Sequence, residues 1–434
     1  MRSCIELKQA LQAGLCDSSL EKLYAPDGNT AALNGARSRA LHVADQLMET
    51  FHPAQSEPAA LFSGPGRTEI GGNHTDHQHG HVLCGSVNLD ILACASRNSL
   101  NVIRAVSEGY PRVEINLDDL QPKKEEFGSS AALIRGVAAG ISQRGFSLSG
   151  IDIYMVSDVL SGSGLSSSAA FEILIDNVIN HFCCDDSLSA VDLACIGQYA
   201  ENVFFGKPCG LMDQMASSVG GAVAIDFKDP AAPSILAIDV GGGLFRDYSL
   251  CIIDTKADHA DLTDDYADIT NEMKSVAAYF GKEVLRDVPE QEVFSSLPEL
   301  RKACGDRAVL RAIHFYEDDM RAVKEAEALQ HADLREFLNL INDSGRSSAM
   351  WLQNIWSVGN PQNQAASVSL AVAQKLLQGE GAVRIHGGGF GGTIQAFVPN
   401  HLLNEFREGM DTLLGEGSCH VLRIRPEGGC LVTE

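Results

Sequence analysis

Residues 151–170 read IDIYMVSDVLSGSGLSSSAA, and this stretch decides the fold. Residues 151–156 are typical of a strand, residues 161–168 form a turn rich in glycine and serine, and residues 169–182 have helical spacing. Successive backbone N–H groups in such a turn form an anion-binding nest, and the helix N-terminus adds a partial positive charge. The pattern therefore predicts a phosphate-binding loop between a strand and a helix. The alternative interpretation is a helix start capped by serine.

This loop differs from two common phosphate motifs. It lacks the Gly-Lys-Ser/Thr of a Walker A loop and the GxGxxG of a dinucleotide-binding turn. Its glycines allow phosphate oxygens to approach the backbone closely, and a serine hydroxyl can bind Mg²⁺.

The composition is that of a soluble globular protein. The chain has 434 residues, of which 45% are hydrophobic and 21% charged, which suggests two domains or one large one. The 33 basic and 57 acidic side chains give a net charge of −24, which argues against nucleic-acid and membrane-surface partners. Twelve cysteines without a CxxC motif indicate reduced thiols. We expect a cytoplasmic protein without a signal or transit peptide or a membrane span, and the sequence leaves its oligomeric state open.

The order of patterns along the chain predicts an α+β fold. The first sixty residues are helical with a polar break at residues 27–29, and a Gly-Pro-Gly turn is expected at residues 64–66. Strands are predicted at residues 87–95 and 101–106, a helix at residues 129–144, and a strand and GGG turn at residues 235–243. An acidic helical segment at residues 257–281, helices across residues 308–375 and a closing run of strands follow. The resulting domains are a helical extension at residues 1–50, an N-terminal domain at residues 51–243 and a C-terminal domain at residues 244–434.

A first glycine-rich segment, GPGRTEIGGNHTDH at residues 64–77, presents arginine, histidine and aspartate. Aspartate accepts hydrogen bonds from vicinal hydroxyls and arginine supplies a fixed positive fork, so the segment suits a polyhydroxylated ligand. The alternative is a tight turn with a solvated loop. His74, His77, His79 and His81 also suggest a metal site, but loop histidines without Cys or Glu partners rarely complete one.

Two later segments carry further candidates. HGGGFGG at residues 386–392 has too many glycines for a regular element, so close backbone approach to another group is expected, a flexible turn being the alternative. Asp213, in PCGLMDQ at residues 208–214, is a candidate to accept or orient a hydroxyl proton, and Glu201 is a candidate to share Mg²⁺ with a serine. Either acid taken alone is more often a helix cap or a salt-bridge partner.

These four segments together resemble the GHMP small-molecule kinases, and more closely the galactokinases among them. The resemblance runs in order from residue 61 to residue 398. It implies an N-terminal domain like ribosomal protein S5, a ferredoxin-like C-terminal domain, an active site between them, and the substrates ATP and a small sugar with Mg²⁺ as cofactor.

The resemblance also implies roles for individual residues. Asp213 would accept or orient the proton of the sugar C1 hydroxyl, and Arg67 would stabilise charge on the transferred phosphoryl group. Ser168 and Glu201 would bind Mg²⁺. The sugar site would comprise Asn73, His74, Asp76, Gly210 and Tyr266, the last of which follows His259 at the family's interval. The ATP site would comprise Ser107, Gly162, Ser163, Gly164, Leu165, Ser166, Ser167 and Ser168.

The first segment departs from the galactokinase pattern. Galactokinases usually have Gly-Glu-His-Thr-Asp-Tyr where this chain has Gly-Asn73-His-Thr-Asp-His, and Val-Asn where it has Thr68-Glu69. The Asn and Arg that usually follow the sugar-site Tyr are Ala267 and Asp268. The sequence therefore predicts a sugar 1-kinase for galactose, with N-acetylgalactosamine, a pentose or a uronate as alternative acceptors. A non-catalytic sugar and ATP sensor is the alternative from another class.

Overall fold

The computed structural model of the chain describes residues 2–54, 56–159, 164–207, 209–240, 244–257 and 262–433. Its strands are β1 (Arg2–Ser3), β2 (Pro58–Gly71), β3 (His81–Arg97), β4 (Val102–Ser107), β5 (Val113–Asn116), β6 (Ile151–Ser157), β7 (Ala222–Asp226), β8 (Ser234–Ile238), β9 (Tyr248–Asp254), β10 (Ala382–Ile385), β11 (Thr393–Pro399), β12 (Cys419–Leu422) and β13 (Cys430–Thr433).

Its helices are α1 (Cys4–Gln12), α2 (Asp17–Tyr24), α3 (Thr30–Phe51), α4 (Ser130–Gln143), α5 (Ser167–Cys184), α6 (Ala190–Tyr199), α7 (Met212–Val219), α8 (Leu244–Asp247), α9 (Thr263–Tyr279), α10 (Glu290–Ser295), α11 (Leu297–Ala303), α12 (Asp306–Gln330), α13 (Leu334–Ser347), α14 (Ala365–Leu376) and α15 (Leu403–Leu414). The segments Ala200–Phe205 and Ser348–Leu352 are π-helical, and they extend α6 and α13.

The larger sheet is built around two long strands, β2 and β3. Its order is β1-β2-β3-β6-β4-β5, β13 also pairs with β2, and β7 pairs with both β3 and β8. All of these pairs are antiparallel except β4 with β6. A four-stranded sheet of order β10-β11-β9-β12 forms in the second half of the chain. The predicted mixed α/β architecture is confirmed, and β13 returns the end of the predicted C-terminal domain to the first sheet.

The turn predicted at residues 64–66 is wrong, because β2 continues through them. Gly64 and Pro65 pair with Ile91 and Asp90 of β3, and the register shifts just after Pro65. At such an irregularity the missing N–H of proline costs no ladder hydrogen bond. A Cβ on Gly64 would collide with the carbonyl oxygen of Ala170, so this glycine lets α5 pack directly on the strand.

The first fifty residues form a layer over the sheet. Apolar side chains of α1 and α3, including Leu7, Val43 and Leu47, are fully buried against Leu61 of β2 and Leu92 of β3. Alternate residues of β2 face the opposite core beneath α4 and α5, as the twofold period of a strand requires. The predicted break at residues 27–29 is confirmed, since the Asn29 side chain caps α3 by accepting hydrogen bonds from the backbone of Ala31 and Ala32.

The remaining predictions about elements have mixed outcomes. The helix at residues 129–144 and the strands at residues 87–95, 101–106 and 151–156 are confirmed by α4, β3, β4 and β6, and the helix at residues 169–182 is confirmed by α5. The GGG turn at residues 241–243 lies outside the described residues. No helix among the described residues is long and apolar enough to cross a bilayer.

Candidate active site

The four sequence motifs meet at one cavity between the two halves of the chain. The cavity measures about 310 Å³. It is lined by Arg67, Gly164, Ser166, Ser167, Ser168, Lys207, Asp213, Tyr266, His386, Gly388, Gly389, Gly391, Gly392 and Thr393. Strand β2, the N-terminus of α5, the start of α7 and the β10–β11 turn therefore each contribute functional groups.

Arg67 and Asp213 form a bidentate ion pair in the wall of this cavity. The Arg67 Nε and Nη2 atoms donate to the two carboxylate oxygens of Asp213, each at 2.7 Å. Burial opposes ionisation of Asp213, but the charge and hydrogen bonds of Arg67 outweigh it and hold the pKa of Asp213 below its usual range. The Ser166 hydroxyl also donates to Asp213, at 2.7 Å. The site thus contains an ionised carboxylate and a fixed cation in direct contact.

The described part of the predicted phosphate loop wraps around Arg67. The backbone N–H of Arg67 donates to the Leu165 carbonyl at 3.0 Å, and its guanidinium donates to the Gly164 carbonyl. Ser166 has a positive φ of 55° and precedes the first turn of α5. Ser167 and Ser168 line the cavity from that first turn, whereas Leu165 is fully buried. Gly162 and Ser163 lie outside the described residues.

Ser168 and Glu201 bring two oxygen donors together beside the cavity. The Ser168 hydroxyl donates to Glu201 Oε1 at 3.1 Å, and the Lys207 ammonium lies 3.4 Å from the same oxygen. Glu201 comes from the π-helical segment and is almost completely buried. A hydroxyl and a carboxylate fit Mg²⁺, which commonly takes one or two protein oxygens together with substrate phosphates.

A second buried carboxylate, Glu172 of α5, stands behind Glu201. The Gln214 side-chain amide donates to Glu172 at 2.9 Å and to Glu201 at 2.8 Å. Burial first, and then the charge of Glu201, raise the pKa of Glu172 well above its usual range. The protonated form of Glu172 is therefore favoured, which reduces repulsion behind the site.

His74, Asp76 and Gly210 form one corner next to the cavity. The Asp76 carboxylate packs so closely on Gly210 that a Cβ there would collide with it. Burial, and then the negative charge of Asp213, raise the pKa of Asp76 to about 7. His74 lies 3.0 Å from the Gly388 carbonyl through Nε2, and burial lowers its pKa to about 4. A neutral His74 donates an N–H hydrogen bond to that carbonyl at physiological pH.

Asn73 is fully buried and faces the protein. Its side-chain amide donates to Glu69 at 3.0 Å and to the Gly387 carbonyl at 2.7 Å. Its side-chain oxygen accepts from Ser348 at 3.1 Å and from Asn354 at 2.9 Å. An amide has two donors and two lone pairs, so its capacity is filled. That Asn73 lines a sugar stays a prediction, which the engagement of its whole side-chain amide by protein groups does not support.

The glycines at residues 387–392 permit the close approach that the sequence predicts. A Cβ on Gly388 would collide with the Tyr266 ring, and one on Gly389 would collide with Asn354. Tyr266 also donates to the Gly389 carbonyl at 3.1 Å, which fixes its ring in the cavity wall. Ser107 ends β4 opposite Met155 of β6 and is not among the residues that line the cavity.

Sequence reasoning missed two residues of the cavity wall, namely Lys207 and Thr393. Lys207 directly precedes PCGLMDQ and Thr393 directly follows HGGGFGG, so proximity to a motif was the available signal. His386 lines the wall as the first residue of HGGGFGG. The described residues hold no group of three or more His, Cys, Asp and Glu that could bind a metal, and the histidines at positions 74–81 do not form one.

The chain is similar in sequence to GHMP kinases and, among them, to galactokinases. Residues 132–221 match the family model of the GHMP kinases N-terminal domain, and residues 48–97 match the galactokinase galactose-binding signature. The chain is 31% identical over 357 residues to a galactokinase of Actinobacillus pleuropneumoniae serotype 3 (strain JL03), with 82% of this chain and 89% of that protein covered. It is 30% identical over 350 residues to a galactokinase of Streptomyces coelicolor, with 79% and 85% covered.

Solved structures share the fold. Lactococcus lactis galactokinase complexed with galactose superposes with a TM-score of 0.76 at 22% identity, over 89% of this chain and 97% of that one. Mevalonate kinase from Methanococcus jannaschii gives a TM-score of 0.60 at 14% identity, over 86% and 99%. At these identities the superpositions establish a common fold.

Proposed function

Since this chain belongs to the galactokinase family, and so is a sugar kinase, we propose that it transfers the γ-phosphoryl group of ATP to the C1 hydroxyl of galactose. The observation that carries the proposal is the bidentate Arg67–Asp213 pair, which lies where the phosphate loop and the sugar-binding segment meet. Phosphoryl transfer needs positioning and charge stabilisation more than covalent chemistry, so a few well-placed groups are enough.

Asp213 is proposed to receive the sugar hydroxyl. Its low pKa makes it a weak base toward a free alcohol, so its main contribution is to orient the hydroxyl as a hydrogen-bond acceptor. The proton moves to the carboxylate as the sugar oxygen bonds to the γ-phosphorus, while the bond from that phosphorus to the bridging oxygen breaks and ADP leaves. Arg67, already fixed by Asp213 and by the loop backbone, offers its positive charge to the phosphoryl oxygens.

The first turn of α5 is proposed to hold the phosphates of ATP. Its N-terminal N–H groups, the hydroxyls of Ser166, Ser167 and Ser168, and the nearby Lys207 supply donors and positive charge. These local groups counter the net charge of −24, which repels a polyphosphate at long range. Ser107, Gly162 and Ser163 remain predicted ATP contacts.

Ser168 and Glu201 are proposed to hold Mg²⁺. When bound, the cation neutralises charge that develops on the phosphate oxygens. The protein's part is to keep the hydroxyl and the carboxylate adjacent, which the hydrogen bond between them and the Gln214 bridge to Glu172 both do.

His74, Asp76, Gly210 and Tyr266 are proposed to shape the sugar side. Gly210 leaves room for the Asp76 carboxylate, which when ionised accepts hydrogen bonds from two neighbouring hydroxyls. Tyr266 offers an apolar ring face beside these polar groups.

A different acceptor sugar is the second candidate, and the substitutions in the first motif favour it. Asn73 stands where galactokinases usually have a glutamate. Because its amide is engaged by protein groups, this change would act on the acceptor through the neighbouring His74 and Asp76. Acceptors that differ from galactose at one ring substituent include N-acetylgalactosamine and galacturonate, and L-arabinose lacks the C6 group.

The test is an ATP-consumption assay with Mg²⁺ across these four sugars, with the wild type and an Asp213→Asn variant. We expect the highest kcat/KM with galactose and a kcat roughly 10²–10⁴-fold lower in the variant. Faster turnover of another sugar would transfer the proposal to that acceptor. Binding of ATP and sugar without any turnover would identify a sensor.

A further inference from the structure

Glu69 and Asn73, two residues by which the first motif departs from the galactokinase pattern, form one buried cluster with Arg384. Asn73 is fully buried, Glu69 is 3% exposed, and Arg384 of β10 is fully buried. Glu69 forms an ion pair with Arg384, and Arg384 also donates to the Ile70 carbonyl at 2.6 Å. The cluster therefore joins β2 of the first sheet to β10 of the second sheet.

Asn73 is held by its backbone as well as by its side chain. Its N–H donates to Asp318 at 2.8 Å and its carbonyl lies 2.9 Å from Nε2 of His314, both on α12. With the four bonds of the side chain, Asn73 has six hydrogen-bond partners in the protein, and its side-chain capacity is filled. A sugar hydroxyl would have to displace one of these buried bonds and leave its present partner unpaired.

The next residues in the chain are those proposed above to shape the sugar side. His74 follows directly with a positive φ of 61°, and Asp76 lies two residues further on. A non-glycine residue keeps such a backbone conformation only where neighbouring contacts enforce it. The contacts of Asn73 on one side and the His74 contact to Gly388 on the other provide that constraint.

We propose that Glu69 and Asn73, clamped by Arg384, act as one positioning unit that fixes His74 against the Gly388 carbonyl and Asp76 against Gly210, and that Asn73 is not itself a sugar ligand. This inference rests on the proposed function only for its effect on sugar KM. Independently of the sugar, the proposal states that the side chains of Glu69 and Asn73 are coupled. Here Glu69 carries the carboxylate and Asn73 the amide, whereas galactokinases usually have the amide at the first position and the carboxylate at the second.

The test exchanges the carboxylate and the amide without changing side-chain length. Asn73→Asp replaces an amide that donates to Glu69 by a carboxylate that repels it. Adding Glu69→Gln restores a donor between the two residues and leaves an oxygen for Arg384. Asn101→Asp makes the same chemical change at an exposed position and serves as the control.

Two readouts are needed for the wild type, both single variants, the double variant and the control. Hydrogen exchange of the amides of residues 73–79 reports positioning without any need for turnover. Sugar KM, measured beside ATP KM and kcat, reports its consequence. We expect Asn73→Asp to lose protection in this segment and to raise sugar KM at least tenfold with ATP KM unchanged. We expect the double variant to recover part of both, because the contact with residue 69 is restored and the bond to the Gly387 carbonyl is not.

Strictly additive effects in the exchange experiment would overturn the proposal. So would a change of sugar preference in Asn73→Asp with normal protection, because that pattern identifies a direct ligand. If the wild type phosphorylates none of the sugars, the proposed function fails, and the exchange data still decide whether the two residues are coupled.

Discussion

At the scale of single residues, the site pairs acids whose surroundings push their pKa values apart. Asp213 is held ionised by Arg67, whereas burial and the charge of Asp213 raise the pKa of Asp76 to about 7. Glu172 is driven toward its neutral form by burial and by Glu201. Three carboxyl groups in and beside one small cavity therefore differ in protonation and can have separate tasks.

Replacing Asp213 by asparagine should lower kcat by roughly 10²–10⁴, because the hydroxyl loses its ionised acceptor. ATP binding should persist, since the phosphate loop keeps its own donors. Single-turnover kinetics and ATP titration of the folded variant measure both effects. Turnover within a factor of about ten of the wild type would remove Asp213 from its assigned role.

The sugar kcat/KM at saturating ATP should rise with pH through about 7. Because the raised pKa of Asp76 favours its protonated form in the free enzyme, the ionised acceptor is fully present only above that value. The pH profile of Asp76→Asn should be lower and should lack this inflection. A wild-type profile that is flat between about pH 6 and pH 8 contradicts the assignment.

The sequence motifs predicted which residues form the site better than they predicted the contacts around those residues. Arg67, Asp213, Ser168 and Glu201 are brought together as the motifs suggested. The saturation of Asn73 was not predictable, because its partners Ser348 and Asn354 are more than 270 residues away along the chain and belong to no motif.

At the scale of elements, contact between β2 and α5 sets the geometry of the phosphate loop. Gly64 lies against the Ala170 carbonyl, and Arg67, three residues further along β2, meets the Leu165 carbonyl just before α5 begins. The strand and the helix that carry the central groups are thereby held in one fixed relation.

Gly64→Ala should therefore destabilise the protein by about 1–3 kcal/mol, since its methyl group meets backbone that cannot rotate away. The matched control is Gly35→Ala on α3, where the added Cβ has open space. That change should stabilise the protein by about 0.5–1 kcal/mol. Denaturant unfolding measures both changes, and equal effects would mean that β2 and α5 do not pack as described.

A second comparison concerns the two carboxylates that share the Gln214 amide. Glu201→Gln should raise the Mg²⁺ concentration for half-maximal rate at least tenfold, because a metal ligand is lost, on the scale of roughly 10–100-fold seen for changes around metal sites. Glu172→Gln should change it little, because a neutral amide resembles a protonated carboxyl. Mn²⁺ binding to the ATP complex provides a readout independent of rate. Equal shifts in both variants would place the metal elsewhere.

The turn predicted at residues 64–66 shows why element boundaries fail from sequence. Glycine and proline normally signal turns, but here the glycine provides close packing and the proline sits at a register irregularity. Both roles depend on partners elsewhere in the chain, which local patterns do not contain.

At the scale of the whole molecule, function depends on joining two sheets across a cavity. The first sheet supplies β2 with Arg67, and the second sheet supplies the turn between β10 and β11. The Glu69–Arg384 ion pair and the bonds of Asn73 link the two halves. The order of the motifs predicted the fold family, whereas this polar link between the two sheets could be recognised only in the structure.

We propose that the protein transfers a phosphoryl group to the sugar C1 hydroxyl, which Asp213 orients. The most direct test of this proposal is phosphorus NMR of the protein with ATP, Mg²⁺ and galactose, followed over time in the wild type and in Asp213→Asn. We expect a sugar-phosphate signal coupled to the anomeric proton that accumulates at least about a hundredfold faster with the wild type than with Asp213→Asn. A phosphate on another hydroxyl, or an equal signal from the variant, would contradict it.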